Sequence, residues 1–161
     1  MNYQVYTPSP ELLPFVKCFW SLDDEAKKDP VKQRVLPDGC MEMIFHYGDL
    51  YRQYFEDGSS IIQPRSFVFG QITKYIEIAP TGISGIISAR FFPDGINPFL
   101  NMPLVSLENK AVPIAELFAE DGKKFEAQVI KANDNQERIT LIEAFLLSKL
   151  TEQRTIDAIT K

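Results

Sequence analysis

Proline is confined to the first two thirds of this chain. All 11 prolines lie at or before Pro113, 7 of the 8 glycines at or before Gly95, and 16 of the 19 aromatic residues at or before Phe99. Proline and glycine interrupt helices and favour turns, whereas aromatic residues are enriched in strands. The remainder of the chain is rich in Leu, Glu, Lys and Ala, which favour helices. The sequence therefore predicts an α+β fold, with short strands first and helices second.

The overall composition excludes several classes of protein. With 161 residues, 45% of them hydrophobic and 24% charged, the chain has the size and burial capacity of one globular domain. Its 17 basic and 22 acidic residues give a net charge of −5, and no segment forms the basic patch typical of nucleic-acid binding. The chain has no signal-peptide-like start and no apolar run approaching about 18 residues. These features favour a cytoplasmic protein that does not contact membranes.

Several segments before residue 113 have the composition of short strands separated by turn residues. The predicted strands are residues 15–22, 40–47, 50–55, 66–70, 75–79 and 83–92. Their spacing is typical of a meander or a barrel, and five or six strands of this length can close on themselves.

Residues 40–47 form the clearest strand, because its apolar and polar residues alternate. One face carries Cys40, Glu42, Ile44 and His46, and the other carries Met41, Met43, Phe45 and Tyr47. In residues 83–92 the same alternation places Arg90 on a face with small hydroxyl residues. An inward-facing Arg90 requires a counter-charge, which is either Glu42 or a bound anion, and a structural pair within the protein is the favoured alternative.

The last part of the chain predicts a long helix. Asp134 is followed three residues later by Glu137, the pattern of a capping box, so a helix is expected from there to about Leu150. One apolar stripe of this helix suits packing on the domain, and Leu141 and Phe145 lie on a different side. Either the helix is buried more than most, or Leu141 and Phe145 contact a second copy of the chain.

Enzymatic chemistry finds little support. His46 is the single histidine, whereas metal-dependent barrel enzymes need several clustered histidine and carboxylate ligands. The chain also lacks a Gly-x-Ser-x-Gly elbow and the glycine-rich loops that bind nucleotide phosphates. We predict no enzymatic activity, no metal and no cofactor; a cupin-type enzyme is the most distant alternative.

Two longer motifs point to a known family. They are LPDGCMEMIFHYG at residues 36–48 and ARFFPDGINPFLNMPL at residues 89–104. In these motifs the chain resembles the N-terminal domain of a subgroup of AraC/XylS-type transcriptional regulators. The resemblance extends over residues 6–150. It implies a cupin-like antiparallel β-barrel followed by a C-terminal helical segment. In the full protein a further domain with two helix-turn-helix units would bind DNA.

The resemblance also implies a division of labour along the chain. Residues 1–113 would form a β-rich sensing region, and residues 114–152 a helical segment that packs on it and serves as a dimer element. Residues 153–161 would be a linker or the start of a missing helix-turn-helix domain. The expected partners are an unidentified small-molecule effector, a second copy of the chain, and DNA only through the missing domain.

The ligand pocket is predicted only from the strand face on which each side chain lies, because the resemblance identifies no effector and therefore no effector-binding residues. The predicted pocket residues are Trp20, Glu42, His46, Gln71 and Arg90. The alternative to a sensor is a pure interaction module whose barrel is filled by its own aromatic side chains. An open, partly polar cavity favours the sensor, and solid packing favours the module.

Overall fold

The computed structural model describes residues 1–160, except for the side chains of residues 155–157, 159 and 160; Lys161 lies outside the described residues. Within this range ten strands precede two helices, so the predicted α+β order is confirmed. The strands are β1 (Asn2–Tyr6), β2 (Val16–Asp24), β3 (Gln33–Val35), β4 (Glu42–His46), β5 (Tyr51–Tyr54), β6 (Ser60–Ile62), β7 (Ser66–Phe69), β8 (Ile76–Pro80), β9 (Ser84–Phe91) and β10 (Ala111–Pro113). The helices are α1 (Ile114–Lys131) and α2 (Asn135–Thr160), and short 3-10 helices at Asn97–Phe99 and Leu104–Leu107 precede β10.

The strands form two antiparallel sheets. One sheet has six strands in the order β1-β2-β9-β4-β7-β10, and the other has four in the order β3-β8-β5-β6. Among the described residues no ladder joins the two sheets, so the closed barrel that the resemblance implies is not found. Side chains from both sheets instead line a shared cavity.

The strands that the sequence did not predict are all edge strands. They are β1 and β10 in the larger sheet and β3 and β6 in the smaller one. All residues of β3 and β6 except Val35 are exposed, and so is most of β1. A strand that is exposed on both faces needs no apolar alternation, so the main sequence signal for a strand is absent.

Strand β4 lies in the interior of the larger sheet and separates the cavity from the core. Its side chains Met43 and Phe45 are fully buried on the helical side. The ring of Phe45 meets that of Phe125 in α1 edge to face, with 5.1 Å between ring centroids. The apolar core therefore lies between the larger sheet and the helices.

Both helices lie where the sequence predicts helical segments, and each differs from the prediction in one respect. Helix α1 joins two predicted pieces across Ala119, whose φ of 52° is a left-handed conformation that alanine rarely adopts. At the start of α2, Asp134 Oδ1 accepts a hydrogen bond from the Glu137 backbone N–H at 2.8 Å, while Glu137 Oε2 accepts one from the Asn133 N–H at 3.0 Å.

Helix α2 continues past its predicted end near Leu150 to Thr160, because no proline or glycine follows to stop it. The described helix thus runs across the predicted boundary between residues 152 and 153. None of the helices in the described part of the chain is long and apolar enough to cross a membrane.

The buried Arg138 fastens α2 to the end of α1 and to the larger sheet. Its guanidinium donates hydrogen bonds to the carbonyl oxygens of Val129 at 3.1 Å and Ala132 at 2.9 Å. These carbonyls belong to the C-terminal end of α1, where a positive charge is favourable. The same guanidinium lies 3.7 Å from the ring centroid of Tyr47, the residue that follows β4.

Replacing this arginine tests how much the connection contributes. We expect Arg138→Met to lower the free energy of unfolding by about 2–4 kcal/mol, because it leaves the Ala132 carbonyl without a donor and removes one of the two donors to the Val129 carbonyl. Urea unfolding of the purified chain measures the change. The control Lys131→Met removes an exposed charge from the last turn of α1 and should cost less than about 1 kcal/mol. Equal effects of the two substitutions would contradict this role of Arg138.

Candidate ligand-binding cavity

A cavity of about 330 Å³ lies between the two sheets. Its wall is mainly apolar and includes side chains of both sheets. The lining residues are Met1, Tyr3, Trp20, Leu22, Gln33, Val35, Glu42, Ile44, His46, Tyr51, Gln63, Phe69, Ile76, Ile78, Ile86 and Arg90. Met1, Tyr3 and Gln33 are exposed, so the cavity reaches the protein surface on that side.

Three neighbouring strands, β2, β9 and β4, form one wall of the cavity as rows of aligned residues. The first row is Leu22, Ile86 and His46; the second is Trp20, Ser88 and Ile44; the third is Cys18, Arg90 and Glu42. Because side chains on a strand alternate between faces, the residues of these rows share one side of the sheet. Glu42 and His46 therefore stand at opposite ends of this wall, separated by Ile44.

The end of the cavity near Glu42 is charged. Trp20 Nε1 donates a hydrogen bond to Glu42 Oε1 at 2.6 Å. Burial raises the pKa of Glu42, against the lowering effects of the Trp20 hydrogen bond and the nearby positive charge of Arg90.

The counter-charge of Arg90 is a residue that the sequence did not suggest. Arg90 forms an ion pair with Asp38, in the turn that precedes β4, and the two side chains are 30% and 46% exposed. Of the alternatives considered for Arg90, a pair within the protein is what the structure contains, but with Asp38 as the partner in place of Glu42. Glu42 thus keeps its Trp20 hydrogen bond and forms no direct ion pair with Arg90.

The end of the cavity near His46 is polar and uncharged. His46 is 1% exposed, and its Nε2 lies 2.9 Å from Gln63 Oε1. Gln63 in turn donates from Nε2 to Gln53 Oε1 at 3.0 Å, and the His46 ring stacks on Tyr51. Because an amide oxygen only accepts, His46 Nε2 carries the proton and Nδ1 is an acceptor. That Nδ1 is buried and has no hydrogen-bond partner among the described residues.

Burial also sets the protonation state of this histidine. The removal of the ring from water lowers the pKa of His46 to about 4, and the Gln63 hydrogen bond opposes this shift only in part. His46 is therefore neutral at physiological pH and acts as a fixed hydrogen-bonding group rather than as a charge.

The structure brings together four of the five predicted pocket residues. Trp20, Glu42, His46 and Arg90 all line the cavity. Gln71 does not, because it follows β7 at the surface, where its Nε2 donates to the Gly39 carbonyl at 2.9 Å. Alternation along a strand locates a side chain well, but Gln71 was selected in a connecting segment, where alternation does not apply.

The sequence missed the residues that complete the polar end of the cavity. Tyr51 and Gln63 come from the smaller sheet and from the segment after β6, and Tyr51 hydroxyl and Ser84 Oγ are 2.7 Å apart. Tyr51 begins a strand that was predicted, so its alternation was an available signal. Gln63 follows an exposed edge strand and has no such signal.

Leu141 and Phe145, predicted as dimer residues, pack within the chain. Both are partly buried against the core. The ring of Phe145 stacks on that of Phe125, with 3.9 Å between centroids and 7° between planes, and meets Phe118 edge to face. Their role in a dimer stays a prediction.

No group of three or more His, Cys, Asp or Glu side chains in the described part of the chain is arranged to hold a metal ion.

The architecture is thus an α+β domain with a ligand-sized cavity between two sheets. Residues 4–113 match the sequence model of a family described as a domain of unknown function, DUF6597. The match covers more than half of the chain, so the protein belongs to this family. It begins near the start of β1 and ends where β10 ends, and it therefore comprises the strands and none of α1 or α2.

The search of curated proteins found no match to the chain. Among solved structures, the chain is similar to the crystal structure of an HTH_3 family transcriptional regulator from Vibrio cholerae, at 16% sequence identity and a TM-score of 0.36. The alignment covers 57% of this chain and 52% of the other, so it spans about half the length of that protein. A likeness of this size carries no functional argument.

The buried histidine makes a prediction about pH. An unfolded histidine has a pKa of about 6.5, so acidification protonates the unfolded state first and lowers stability between pH 6.5 and the folded pKa of about 4. We expect this group to reduce the free energy of unfolding by roughly 2 kcal/mol between pH 7.5 and pH 5. Urea unfolding at the two pH values measures the loss.

The control for this prediction is His46→Gln, which keeps a donor for Gln63 but does not titrate. Other groups, including Glu42, titrate in both proteins, so their contributions cancel in the difference between wild type and variant. An identical pH dependence in the two proteins would show that His46 is not held neutral by burial.

Proposed function

We propose that this chain is the regulatory N-terminal region of an AraC/XylS-type transcription factor. In this proposal a small effector binds in the cavity between the sheets, and the helices pass the signal to a DNA-binding domain outside this chain. The role is regulatory rather than catalytic. The motifs at residues 36–48 and 89–104 support the family, and they form the turn into β4, β4 itself, and the segment that follows Arg90.

The observation that carries the proposal is the unfilled space of about 330 Å³ between the sheets. Small-molecule sites have volumes of roughly 300–1,000 Å³ and combine an apolar lining with a few polar groups. The cavity has both properties, with Glu42 at one end and His46 at the other. A pure interaction module would gain stability from side chains that fill such a space, because they would bury more apolar surface.

Strand β4 supports the second part of the proposal, the passage of a signal. Glu42 and His46 face the cavity, while Phe45, between them in sequence, packs on Phe125 of α1. Tyr47 continues the alternation, and its hydroxyl lies 3.3 Å from Asn135 Nδ2 at the start of α2. A ligand that shifts the cavity-facing side chains therefore acts on a strand that contacts α1 through Phe45 and whose next residue, Tyr47, contacts α2.

A cavity-filling variant tests the sensing function. A thermal-shift screen of metabolites against the wild-type chain should yield at least one compound that raises the midpoint by about 5–10 °C at 100 times its Kd. We expect Ile78→Trp, which fills the cavity from the smaller sheet, to abolish this shift. The control Ile83→Trp places the same ring at a site that is 61% exposed and should retain the shift.

Two results would contradict sensing. One is the combination of a screen that finds no ligand and an Ile78→Trp variant that is more stable than the wild type. A module with an incidental empty space would give this combination. The other is a hit whose shift survives in Ile78→Trp but not in Ile83→Trp, because the ligand would then bind outside the cavity.

Dimerisation is the other part of the proposed function. Sedimentation equilibrium across a broad range of concentration should show a species of twice the 18.4 kDa chain mass. Phe145→Glu is a poor probe of this property, since the loss of stacking on Phe125 would disturb the fold itself. A monomer at every concentration would remove dimerisation from the proposal and leave ligand sensing untouched.

A further inference from the structure

The polar groups that the cavity offers to a ligand are mainly acceptors. Glu42 uses one oxygen for the Trp20 indole, and a carboxylate accepts further hydrogen bonds. His46 Nδ1 is a buried acceptor without a partner among the described residues. The strongest donor on the wall, the Arg90 guanidinium, pairs one terminal nitrogen with Asp38, so its charge is balanced within the protein although some of its N–H groups stay available. A ligand that donates hydrogen bonds at both ends therefore matches these acceptors.

A charge count decides between a cationic and an anionic ligand. Arg90 and Asp38 neutralise each other as an ion pair, so this end of the cavity carries a net charge of −1 when Glu42 ionises; burial opposes that ionisation in the empty cavity, and a bound cation promotes it. A bound anion would raise the negative charge further, whereas a bound cation cancels it. Buried charges are tolerated when they are paired.

We propose that the cavity binds a small primary amine with an apolar body. The ammonium group pairs with Glu42 beside the Trp20 ring, and the body lies along the aliphatic wall. A hydroxyl group at the far end donates to His46 Nδ1, which requires the ligand to displace the side chains that cover this buried atom. This inference rests on the proposed function, because it assumes that the cavity holds a ligand, and it specifies the chemistry of that ligand.

The dimensions of the cavity agree with such a molecule. Glu42 and His46 are four residues apart on β4, which corresponds to about 13 Å along a strand. Two hydrogen bonds of about 2.9 Å leave a ligand length on the order of 7 Å between its polar ends. A dry cavity of about 150 Å³ holds benzene, so the roughly twofold larger space here accommodates one ring with a short chain.

Calorimetric titration of the wild-type chain with matched compounds tests the proposal. The probes are tyramine, phenethylamine, 2-phenylethanol and phenylacetate, which share a ring and a short chain. Replacing the amine by a hydroxyl removes a charge-assisted contact, so phenethylamine should bind about 10–100-fold more tightly than 2-phenylethanol. Tyramine should exceed phenethylamine by about 2–10-fold through the added donor. Phenylacetate should bind least.

A substitution at Glu42 connects this preference to one residue. Glu42→Gln retains an acceptor for the Trp20 indole and removes the charge, so phenethylamine and 2-phenylethanol should bind it equally well. Glu108→Gln, at an exposed site outside the cavity, should keep the wild-type preference. Thermal unfolding of the free variants verifies that both are folded, and the comparison of ligands on the wild type does not depend on the variants.

Three outcomes would overturn the amine assignment: phenylacetate binds as tightly as phenethylamine, the alcohol binds as tightly as the amine, or none of the four compounds binds. The first two leave sensing by the cavity intact and change only the ligand class. In the third case the metabolite screen with Ile78→Trp decides separately whether the cavity binds any ligand.

Discussion

The alternation of side chains along β4 is the constraint on which the rest of the structure depends. This strand is hydrogen bonded to β7 on one edge and to β9 on the other, so its register is fixed on both sides. A displacement by one residue would turn Glu42 and His46 into the apolar core and Met43 and Phe45 into the cavity. The cost of burying a carboxylate and an imidazole among apolar side chains excludes that register. The position of the cavity, the core and the helices all follow from this one choice.

The domain keeps space that its own side chains do not fill. The larger sheet is packed densely on its helical side, where Phe45, Phe125 and Phe145 make ring contacts. On the other side, Trp20 and Tyr51 stand at the edge of the cavity and are held by hydrogen bonds to Glu42 and Ser84. These bonds keep the large side chains from collapsing into the space. The difference between the two sides of one sheet is the strongest structural argument for a binding function.

Burial explains which features the sequence revealed and which it did not. The interior strands and α2 were recognisable because an apolar face repeats with the period of the element. The edge strands β1, β3, β6 and β10 carry no such repeat, and the two-sheet arrangement without closure depends on them. At the site, alternation located Glu42 and His46. The Asp38 partner of Arg90 and the Gln63 partner of His46 come from a turn and a loop, where only the folded chain brings them near.

The fixed position of β4 has a consequence for any response to a ligand. A strand bonded on both edges cannot slide or tilt without breaking two ladders at once, so it behaves as the rigid side of the cavity. The opposite side ends in β3, which has three residues and pairs only with β8. A ligand is thus held against a wall of fixed geometry, so it acts on the helices through the side chains of β4, while the smaller sheet is the side of the cavity that adjusts to its shape.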